Sequence, residues 1–324
     1  MNFIHDDRDF DALLRIVADK RKIAVGLVEK DYWVTHVLWA LQRCGFDMWF
    51  KGGTSLSKGF SLIERFSEDL DLKLEPGRVQ GIPPVTDWKR EGTKATKTRE
   101  THLRAIAGAI DIPGAVVKID PDLADEHWRS VNVRASYPGK HLESLSGVLK
   151  PFVLLEIGSA RVTPSIACDM TSFVHEELAD QNQLDIYDDN RPKQVRCVHP
   201  LVTLLEKLDA LVRRVPNHDR EPATFVRHYE DAARIIADAE KLPGLEGYKA
   251  PRELAHEMFR EKQIRALPTA DHPAFLIPAD ERGAAIRDAF TAIGPMFWGP
   301  RRTIDECTAA IRGWLESPAI RAQS

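Results

Sequence analysis

Two adjacent glycines near residue 50 constrain the fold and chemistry of this chain more than any other feature. Residues 48–51 form a short, mostly apolar run that stops abruptly at Gly52 and Gly53. Residues without a Cβ accommodate a sharp change of backbone direction at low cost. The pattern therefore predicts a strand that enters a tight turn.

A helix is predicted directly after this turn. Leu56, Phe60 and Ile63 follow one another at helical spacing, and Thr54 or Ser55 precedes them as a candidate N-cap. Such a helix presents free backbone N–H groups and the positive end of its dipole at the glycine turn. The turn is therefore suited to a phosphate group.

Residues 66–74 alternate with a period of two, which predicts a second strand. Leucines occupy one face of it, whereas Ser67, Asp69 and Asp71 share the other. Two carboxylates side by side repel each other unless a divalent cation or surrounding bases neutralise them. Oxygen ligands of this kind suit Mg²⁺, with Mn²⁺ as an alternative. Taken alone, the glycine turn or the aspartate pair is explained by an ordinary turn or by an exposed polar strand. Their order and their proximity in the sequence together favour a nucleotide site.

The order of these signals resembles the active-site signature of the polymerase-β-like nucleotidyltransferase superfamily. The fuller string, GGTSLSKGF followed by RFSEDLDL, is similar to the AbiEii/AbiGii-type nucleotidyltransferase toxins of bacterial toxin–antitoxin and phage-defence systems. This resemblance implies that two aspartates, Asp69 and Asp71, hold the metal and are catalytic. It also implies that Gly52, Gly53 and Thr54 or Ser55 hold the triphosphate. To these we add Lys58, Arg65 and Ser67 as candidate nucleotide-binding residues.

A third metal-linked carboxylate is expected on a neighbouring strand in this superfamily. Residues 150–157 read as an almost continuously apolar strand that contains Glu156, and a lone carboxylate on a buried strand is costly without a partner. Glu156 is our candidate by its place in the chain order, and Asp169 is its rival. Neither lies in a tight local motif, so the choice stays open at this point.

Two further positions resemble functional residues of the same family. Lys207 lies in a Glu-Lys-Leu-x-Ala-Leu helix motif, and Asp231 lies in a segment that matches an Arg-x-x-Tyr-Asp-Leu helix more loosely, because Glu230 is inserted. On physics alone Lys207 is an ordinary helix-surface lysine. The resemblance implies instead that Lys207 is catalytic and contacts the triphosphate, and that Asp231 positions either this lysine or the base.

Two charged segments allow more than one interpretation. Residues 29–33 resemble the Glu-Lys-Asp-Tyr opening of the toxin family, but a solvated helix turn is the interpretation that we favour there. A later segment is net basic and is either a solvated helix or a surface for a polynucleotide. Its candidate phosphate contacts are Lys89, Arg90, Lys94, Lys97 and Arg99.

Composition places the chain in a broad class. A length of 324 residues with 43% hydrophobic residues supports real cores, and a net charge of −4 argues against a protein that coats nucleic acid along its whole surface. The 4 cysteines form no Cys-x-x-Cys pair, so no disulfide framework or zinc site is indicated. We find no apolar stretch of membrane-spanning length and predict a cytoplasmic protein.

The predicted fold class is α+β. Residues 1–195 are expected to form a nucleotidyltransferase domain with a mixed β-sheet and flanking helices, and residues 196–324 a helical bundle. We expect further helices at 9–22, 25–44, 223–242, 250–266, 280–297 and 303–316.

The resemblance implies a Mg²⁺-dependent enzyme that transfers a nucleoside monophosphate from a nucleoside triphosphate to RNA, foremost a tRNA 3′ end. It also implies a separately encoded antitoxin as a partner. Two alternatives remain open: transfer to a small molecule or a protein, and a noncatalytic module that binds nucleotides or partners. The intact aspartate pair and Lys207 count against the second.

Overall fold

The computed structural model describes residues 2–67, 69–120, 125–141, 143, 150–159, 161–217 and 220–320. The chain divides into two compact units. The first consists of Met1–Gly59, Phe66–Val162 and Ala167–Cys197, and the second of Phe60–Arg65, Thr163–Ile166 and Val198–Ser324. The chain therefore enters the second unit twice, briefly, before the long carboxyl-terminal part of that unit begins.

A mixed sheet of seven strands is found among the described residues, in the order β3-β4-β5-β2-β1-β7-β6. The strands are β1 (Asp47–Lys51), β2 (Asp69–Glu75), β3 (Val116–Asp120), β4 (Ser130–Ser136), β5 (Val153–Gly158), β6 (Ser165–Cys168) and β7 (Val195–Val198). The central strand β2 pairs antiparallel with β1 and parallel with β5. Together with the helices below, this mixed sheet confirms the predicted α+β class.

Strand β2 forms because its residues alternate between two environments. Leu70, Leu72 and Leu74 are almost completely buried, whereas Asp69 and Asp71 are only half-buried. The prediction of this alternation is confirmed. The sequence pattern does not predict β3, β6 and β7, since four or five residues are too few to establish a period of two.

The described part of the first unit contains five α-helices: α1 (Phe10–Arg21), α2 (Val25–Cys44), α3 (Gly52–Lys58), α4 (Thr93–Gly108) and α5 (Phe173–Asp180). Helices α1 and α2 match the predicted ranges to within a residue. Helix α2 is buried far beyond the single face that its hydrophobic spacing predicts, because charged residues in its second turn are also buried.

The interpretation of residues 29–33 as a solvated helix turn is wrong. Glu29, Lys30 and Asp31 are at most 4% exposed. Their charged groups are compensated by main-chain groups of segments far away in sequence, as buried charges require. These hydrogen bonds involve the backbone amides of Lys140, His141 and Phe173 and the carbonyls of Lys150 and Phe152. The three side chains of α2 thereby hold the segments that lead out of β4, into β5 and into α5.

The basic segment contains the helix α4, and one of its five candidate phosphate contacts is not available for that role. Arg99 is 1% exposed, and its guanidinium donates to the carbonyls of His127 and Arg90. Lys97 pairs with Glu100 on the exposed side of the helix. Arg99 is therefore a structural residue, and the prediction that it contacts phosphate is wrong.

The second unit contains the remaining helices of the described residues: α6 (Pro200–Arg214), α7 (Arg227–Ala237), α8 (Pro251–Arg260), α9 (Glu281–Ala292) and α10 (Ile304–Glu316). Helix α6 begins at Pro200, and the His199 side chain accepts a hydrogen bond from the Leu201 amide. Thr303 and Glu306 form a capping box at the start of α10. The predicted ranges for α7, α8 and α9 are longer than the helices themselves.

In the described residues, no helix is both long and apolar enough to cross a membrane.

Candidate active site

The carboxylate face of β2 lies at the centre of the sheet. Register places Asp71 between Lys51 of β1 and Glu156 of β5, and Glu156 pairs in turn with Asn132 of β4. Cross-strand partners project from the same face of a sheet, so these four polar side chains form one row across four strands. The row consists of a cation, two adjacent carboxylates and an amide.

Asp71 is also fixed from the side of the glycine turn. Gly52 has φ +75°, a conformation that L side chains rarely adopt. A Cβ added to Gly52 would lie 1.7 Å from Oδ2 of Asp71. The absence of a side chain at residue 52 is therefore what leaves room for the Asp71 carboxylate against the turn.

The hydroxyl groups after the turn point inward in this structure. Helix α3 begins at Gly52, its N-cap is Lys51, and no side chain caps it, so the expected capping by Thr54 or Ser55 is wrong. The Thr54 hydroxyl donates to the main-chain carbonyl of Asp69 at 3.0 Å, and the Ser55 hydroxyl donates to that of Gly52 at 3.0 Å. Thr54 thus ties α3 to the beginning of β2 beside the first aspartate.

Lys58 ends α3 and is held by the buried charge of α2. Its Nζ lies 2.6 Å from Oδ1 of Asp31 and donates to the carbonyl of Thr171 at 3.0 Å. Both charged side chains are at most 9% exposed. Gly53 is buried within α3, and Ser67 is half-buried two residues before β2. Of these predicted nucleotide-binding residues, Lys58 has a clear structural partner, Asp31.

Lysines flank the carboxylates of the row. Nζ of Lys150 lies 3.3 Å from Oδ1 of Asp69. Glu156 is an exposed residue, yet partial desolvation of its carboxyl group raises its pKa, and the negative charge of Asp69 raises it further. Lys51 and Lys150 act in the opposite direction. The Asp69 carboxylate is thus close enough to Glu156 for its charge to affect the pKa of that residue.

The geometry separates the two candidates for a third carboxylate. Glu156 is the direct register partner of Asp71. Asp169 follows β6, at the edge of the sheet and three strands from β2, where it accepts hydrogen bonds from the main chain and side chain of Gln194. Glu156 is therefore the better placed of the two.

The second unit brings together three other predicted site residues. Asp231 of α7 accepts two hydrogen bonds from Arg65, at 2.7 and 2.6 Å, and one from Lys207 of α6 at 2.6 Å. Arg65 and Asp231 are at most 1% exposed, whereas the Lys207 side chain is 9% exposed. Of the three, Lys207 is the most exposed; Asp231 holds its ammonium, and Arg65 in turn holds Asp231.

Opposing effects set the pKa values in this triad. Burial acts to raise the pKa of Asp231, but the charges of Arg65 and Lys207 outweigh it, so the pKa lies well below the ordinary carboxyl value. Burial lowers the pKa of the Lys207 ammonium, and Asp231 partly offsets this. Two cations around one carboxylate leave the triad with a net positive charge.

The residue inserted in the α7 motif does not take the place of Asp231. Glu230 is also completely buried, but its carboxylate accepts a hydrogen bond from Arg301 at 2.9 Å and lies 3.5 Å from Arg234. Glu230 and Asp231 therefore have separate sets of cationic partners. Asp231 is the one of the two that contacts Lys207.

The sequence as a whole matches one family description over most of its length. The model of the nucleotidyl transferase AbiEii toxin family, from type IV toxin–antitoxin systems, matches residues 40–306. This chain belongs to that family. The match covers all of the site residues above except those of α2, and it makes this AbiEii-family chain a nucleotidyltransferase toxin of a toxin–antitoxin system.

Other comparisons add little to this assignment. JHP933 from Helicobacter pylori, a solved structure, is 14% identical, with 88% of this chain and 92% of that chain covered and a TM-score of 0.36. No curated protein matches the sequence. The family assignment of this AbiEii-family chain therefore stands on the family match alone.

The carboxylates of the AbiEii-family chain fit a divalent cation only as a partial set of ligands. Among the described residues, no group of three or more histidine, cysteine, aspartate or glutamate side chains is arranged to hold a metal ion. Asp69 and Asp71 nevertheless offer hard oxygen donors on one strand face. Mg²⁺ in such enzymes needs only one or two carboxylates, because water and substrate phosphates complete its octahedron. The chemistry of these residues fits that arrangement.

Sequence reasoning on this AbiEii-family chain missed two residues of the site, Lys51 and Lys150. One is the register partner of Asp71, and the other contacts Asp69. The position of Lys51 at the end of an apolar strand, just before the glycines, is a signal that could have been used. Lys150 has no such signal, because its proximity to Asp69 depends on the pairing of β2 with β5.

Proposed function

We propose that the protein transfers a nucleoside monophosphate from a nucleoside triphosphate to a hydroxyl of RNA in a Mg²⁺-dependent reaction, with a tRNA 3′ end as the foremost acceptor. The observation that carries this proposal is the contact of the Asp71 carboxylate with the Gly52 turn, beside Asp69 on the same strand face. Carboxylates at a glycine turn are what a triphosphate with its cation requires.

In the proposed reaction the acceptor oxygen forms a bond to the α-phosphorus, while the bond from that phosphorus to the pyrophosphate oxygen breaks. The hydroxyl proton leaves to solvent. A bound divalent cation would supply charge neutralisation and Lewis acidity. Because the chemistry is largely positioning and electrostatics, the contribution of the protein lies in how firmly its charged groups are held.

The residues divide these tasks. Asp69 and Asp71 are the proposed metal ligands, with Glu156 as the third carboxylate. Thr54 holds the main chain at Asp69 and thereby orients its carboxylate relative to the turn. Lys150, paired with Asp69, limits the repulsion within the carboxylate group.

Lys207 keeps the role that family resemblance implies, which is a positive charge for the triphosphate as pyrophosphate leaves. In support, its ammonium is oriented by Asp231, and Arg65 keeps the triad positive overall. Gly53, Ser55, Lys58 and Ser67 remain proposed nucleotide-binding residues. The inward hydrogen bond of Ser55 and the ion pair of Lys58 favour a supporting role for these two.

We further propose a cytoplasmic enzyme restrained by a cognate antitoxin. Support for the partner comes from the family description, which places these toxins in type IV toxin–antitoxin systems.

The test is incubation of the purified protein with total RNA, Mg²⁺ and each of the four nucleoside triphosphates, labelled at the α-phosphate. We expect label in RNA, concentrated in the tRNA fraction. Asp71→Asn should reduce transfer at least about 100-fold, since it replaces a charged metal ligand with a neutral amide. Glu75→Gln, on the same face of the same strand, is the matched control and should retain activity.

The other outcomes separate the alternatives. Label in a small molecule or in protein, with none in RNA, would show a nucleotidyltransferase with a different acceptor. No label in any fraction with any of the four nucleotides, from a folded protein, would support the noncatalytic alternative.

A further inference from the structure

The second unit contains a cavity of about 520 Å³ whose wall is dominated by arginine. The arginines come from three separate segments: the end of α6, the connection from there to the start of α7, and the loop after α8. They are Arg213, Arg214, Arg220, Arg227 and Arg265, and we call this cavity the arginine pocket. Arg227 begins the motif segment that contains Asp231, whereas the sequence motifs did not single out the other four.

Among the described residues, most of the arginines of the pocket have no carboxylate partner. Within the part of the chain that the structure describes, the only carboxylate that pairs with any of these five guanidinium groups is Asp209, whose Oδ2 lies 2.7 Å from Nε of Arg213. The other oxygen of Asp209 accepts the main-chain amide of Arg265 at 2.7 Å. In the described residues, one carboxylate thus pairs with one of five guanidinium groups, all of which stay charged at any ordinary pH.

The arginines of the pocket differ in burial: Arg214 and Arg227 are half-buried, whereas the other three are exposed. Arg214 is half-buried, and its guanidinium donates to the carbonyl of Thr224 at 3.2 Å. Desolvation lowers the pKa of Arg214, and the charges of Arg213, Arg227 and Arg220 lower it further, which means that the cations repel one another. An anion that enters the pocket relieves this repulsion.

Arginine clusters of this kind are suited to phosphate. The planar guanidinium donates two parallel hydrogen bonds to phosphate oxygens, and several such groups around one cavity favour a ligand with several negative charges. A single carboxylate ligand would neutralise only a small part of the charge. We propose that the arginine pocket binds a run of closely spaced phosphate groups, supplied either by the backbone of single-stranded RNA or by a free oligophosphate.

This inference goes beyond the proposed function, since it requires neither nucleotide transfer nor a metal ion. Binding is therefore measured without nucleotide and without Mg²⁺, on the full-length protein. One arm uses the fluorescence anisotropy of a labelled 12-nucleotide single-stranded RNA over a series of salt concentrations. The other arm uses calorimetry with tripolyphosphate.

The test variant is Arg220→Gln combined with Arg265→Gln. Both side chains are exposed and form no ion pair in the described part of the chain, so their replacement should leave the fold intact, which circular dichroism can verify. The control variant, Lys249→Gln combined with Arg260→Gln, removes the same charge from exposed positions of the same unit outside the pocket.

If RNA is the source of the phosphates, the test variant should bind RNA more weakly. The slope of log affinity against log salt concentration should become shallower by about 0.7 for each lost contact, whereas the control keeps the wild-type slope. If a free oligophosphate is the source, tripolyphosphate should bind the wild type and the control with similar affinity. It should bind the test variant at least tenfold more weakly, and the affinity of all three proteins for RNA should be the same.

Either of these results supports the arginine pocket as a phosphate site. The proposal is overturned if the wild type binds neither ligand, if the test variant binds both as the wild type does, or if the control loses as much affinity as the test variant. Loss of nucleotide transfer plays no part in the readout, so failure of the proposed function leaves this test unaffected.

Discussion

The carboxylate of Asp71 occupies the space that a side chain at Gly52 would need. Oδ2 of Asp71 lies 1.7 Å from the position of a Cβ on Gly52, and the backbone there has φ +75°. A Cβ atom at residue 52 must therefore displace the Asp71 side chain, the backbone of the turn or both. The glycine and the aspartate form one unit, although they lie on different elements.

Gly52→Ala should abolish nucleotide transfer and destabilise the first unit. Gly81→Ala provides the control, because Gly81 has φ +83° but nothing within 4 Å of its added Cβ. That variant should lose only about 1–2 kcal/mol for the left-handed backbone. Urea unfolding and transfer assays of both variants measure the difference. Equal losses in the two variants would show that the backbone angle, rather than the displaced Asp71, is responsible.

The alternation of β2 could be predicted from the sequence because one local period places three leucines in the core and two aspartates on the other face. The row from Lys51 to Asn132 could not. It depends on which strands pair and in what register, and a single sequence does not encode that in any short pattern. The site was thus predictable along one strand but not across the sheet.

Buried charges are the second kind of feature that the sequence did not reveal. Glu29, Lys30 and Arg99 all occur in charge-rich helical segments, and such segments are usually solvated. Each is buried because its partner is a main-chain group distant in sequence, for example the carbonyl of Lys150 for Lys30. Local composition contains no information about these partners.

Glu156→Gln should stabilise the protein at neutral and alkaline pH. The pKa of Glu156 is raised, so the folded state binds its proton more tightly than the unfolded state does. The favourable contribution of this group is present at low pH and is lost as the pH rises through the folded pKa. Glutamine removes the charge that repels Asp69 at high pH and changes little in acid.

Melting temperatures at pH 8 and pH 4 measure this effect, with Glu75→Gln as the control. Glu75 lies 3.1 Å from Lys73, so its neutralisation removes an attraction rather than a repulsion and should give no gain at pH 8. If Glu156 serves the transfer site, Glu156→Gln also loses activity while it gains stability. A melting temperature that falls at pH 8 would contradict the proposed repulsion.

The buried triad predicts unequal costs for its members. Asp231→Ala leaves Arg65 and Lys207 buried without a counter-ion and should cost about 3–5 kcal/mol in the free energy of unfolding. Lys207→Met leaves the two hydrogen bonds between Arg65 and Asp231 in place and should cost much less. Transfer activity should be lost in both variants.

Urea unfolding at pH 7 compares the two variants of the triad. Because the pKa of Asp231 is lowered, its contribution is present above the ordinary carboxyl pKa of about 3.9 and is lost as the pH falls through the lower folded value. The stability difference between wild type and Asp231→Ala should therefore persist at pH 5. Similar losses for Lys207→Met and Asp231→Ala at pH 7 would mean that Arg65 alone does not satisfy Asp231.

The ion pair between Asp31 and Lys58 should be strongly coupled. Both side chains are almost fully buried, with Nζ to Oδ1 at 2.6 Å, so loss of either partner leaves an uncompensated charge. A double-mutant cycle of Asp31→Asn and Lys58→Met should give a coupling free energy above about 1 kcal/mol, because the double variant recovers part of each single loss. The control is a cycle on the partly exposed pair of Lys73 and Glu75, for which we expect about 0–1 kcal/mol.

The same variants test whether Lys58 also binds nucleotide. If it acts only through Asp31, a saturating nucleoside triphosphate should raise the melting temperature of Lys58→Met as much as that of the wild type, since the ligand stabilises whichever folded state binds it. If Lys58 contacts the triphosphate directly, the shift should shrink in Lys58→Met but not in Asp31→Asn. A coupling free energy near zero, together with a lost nucleotide shift, would make Lys58 a nucleotide ligand whose contact with Asp31 contributes nothing to folding.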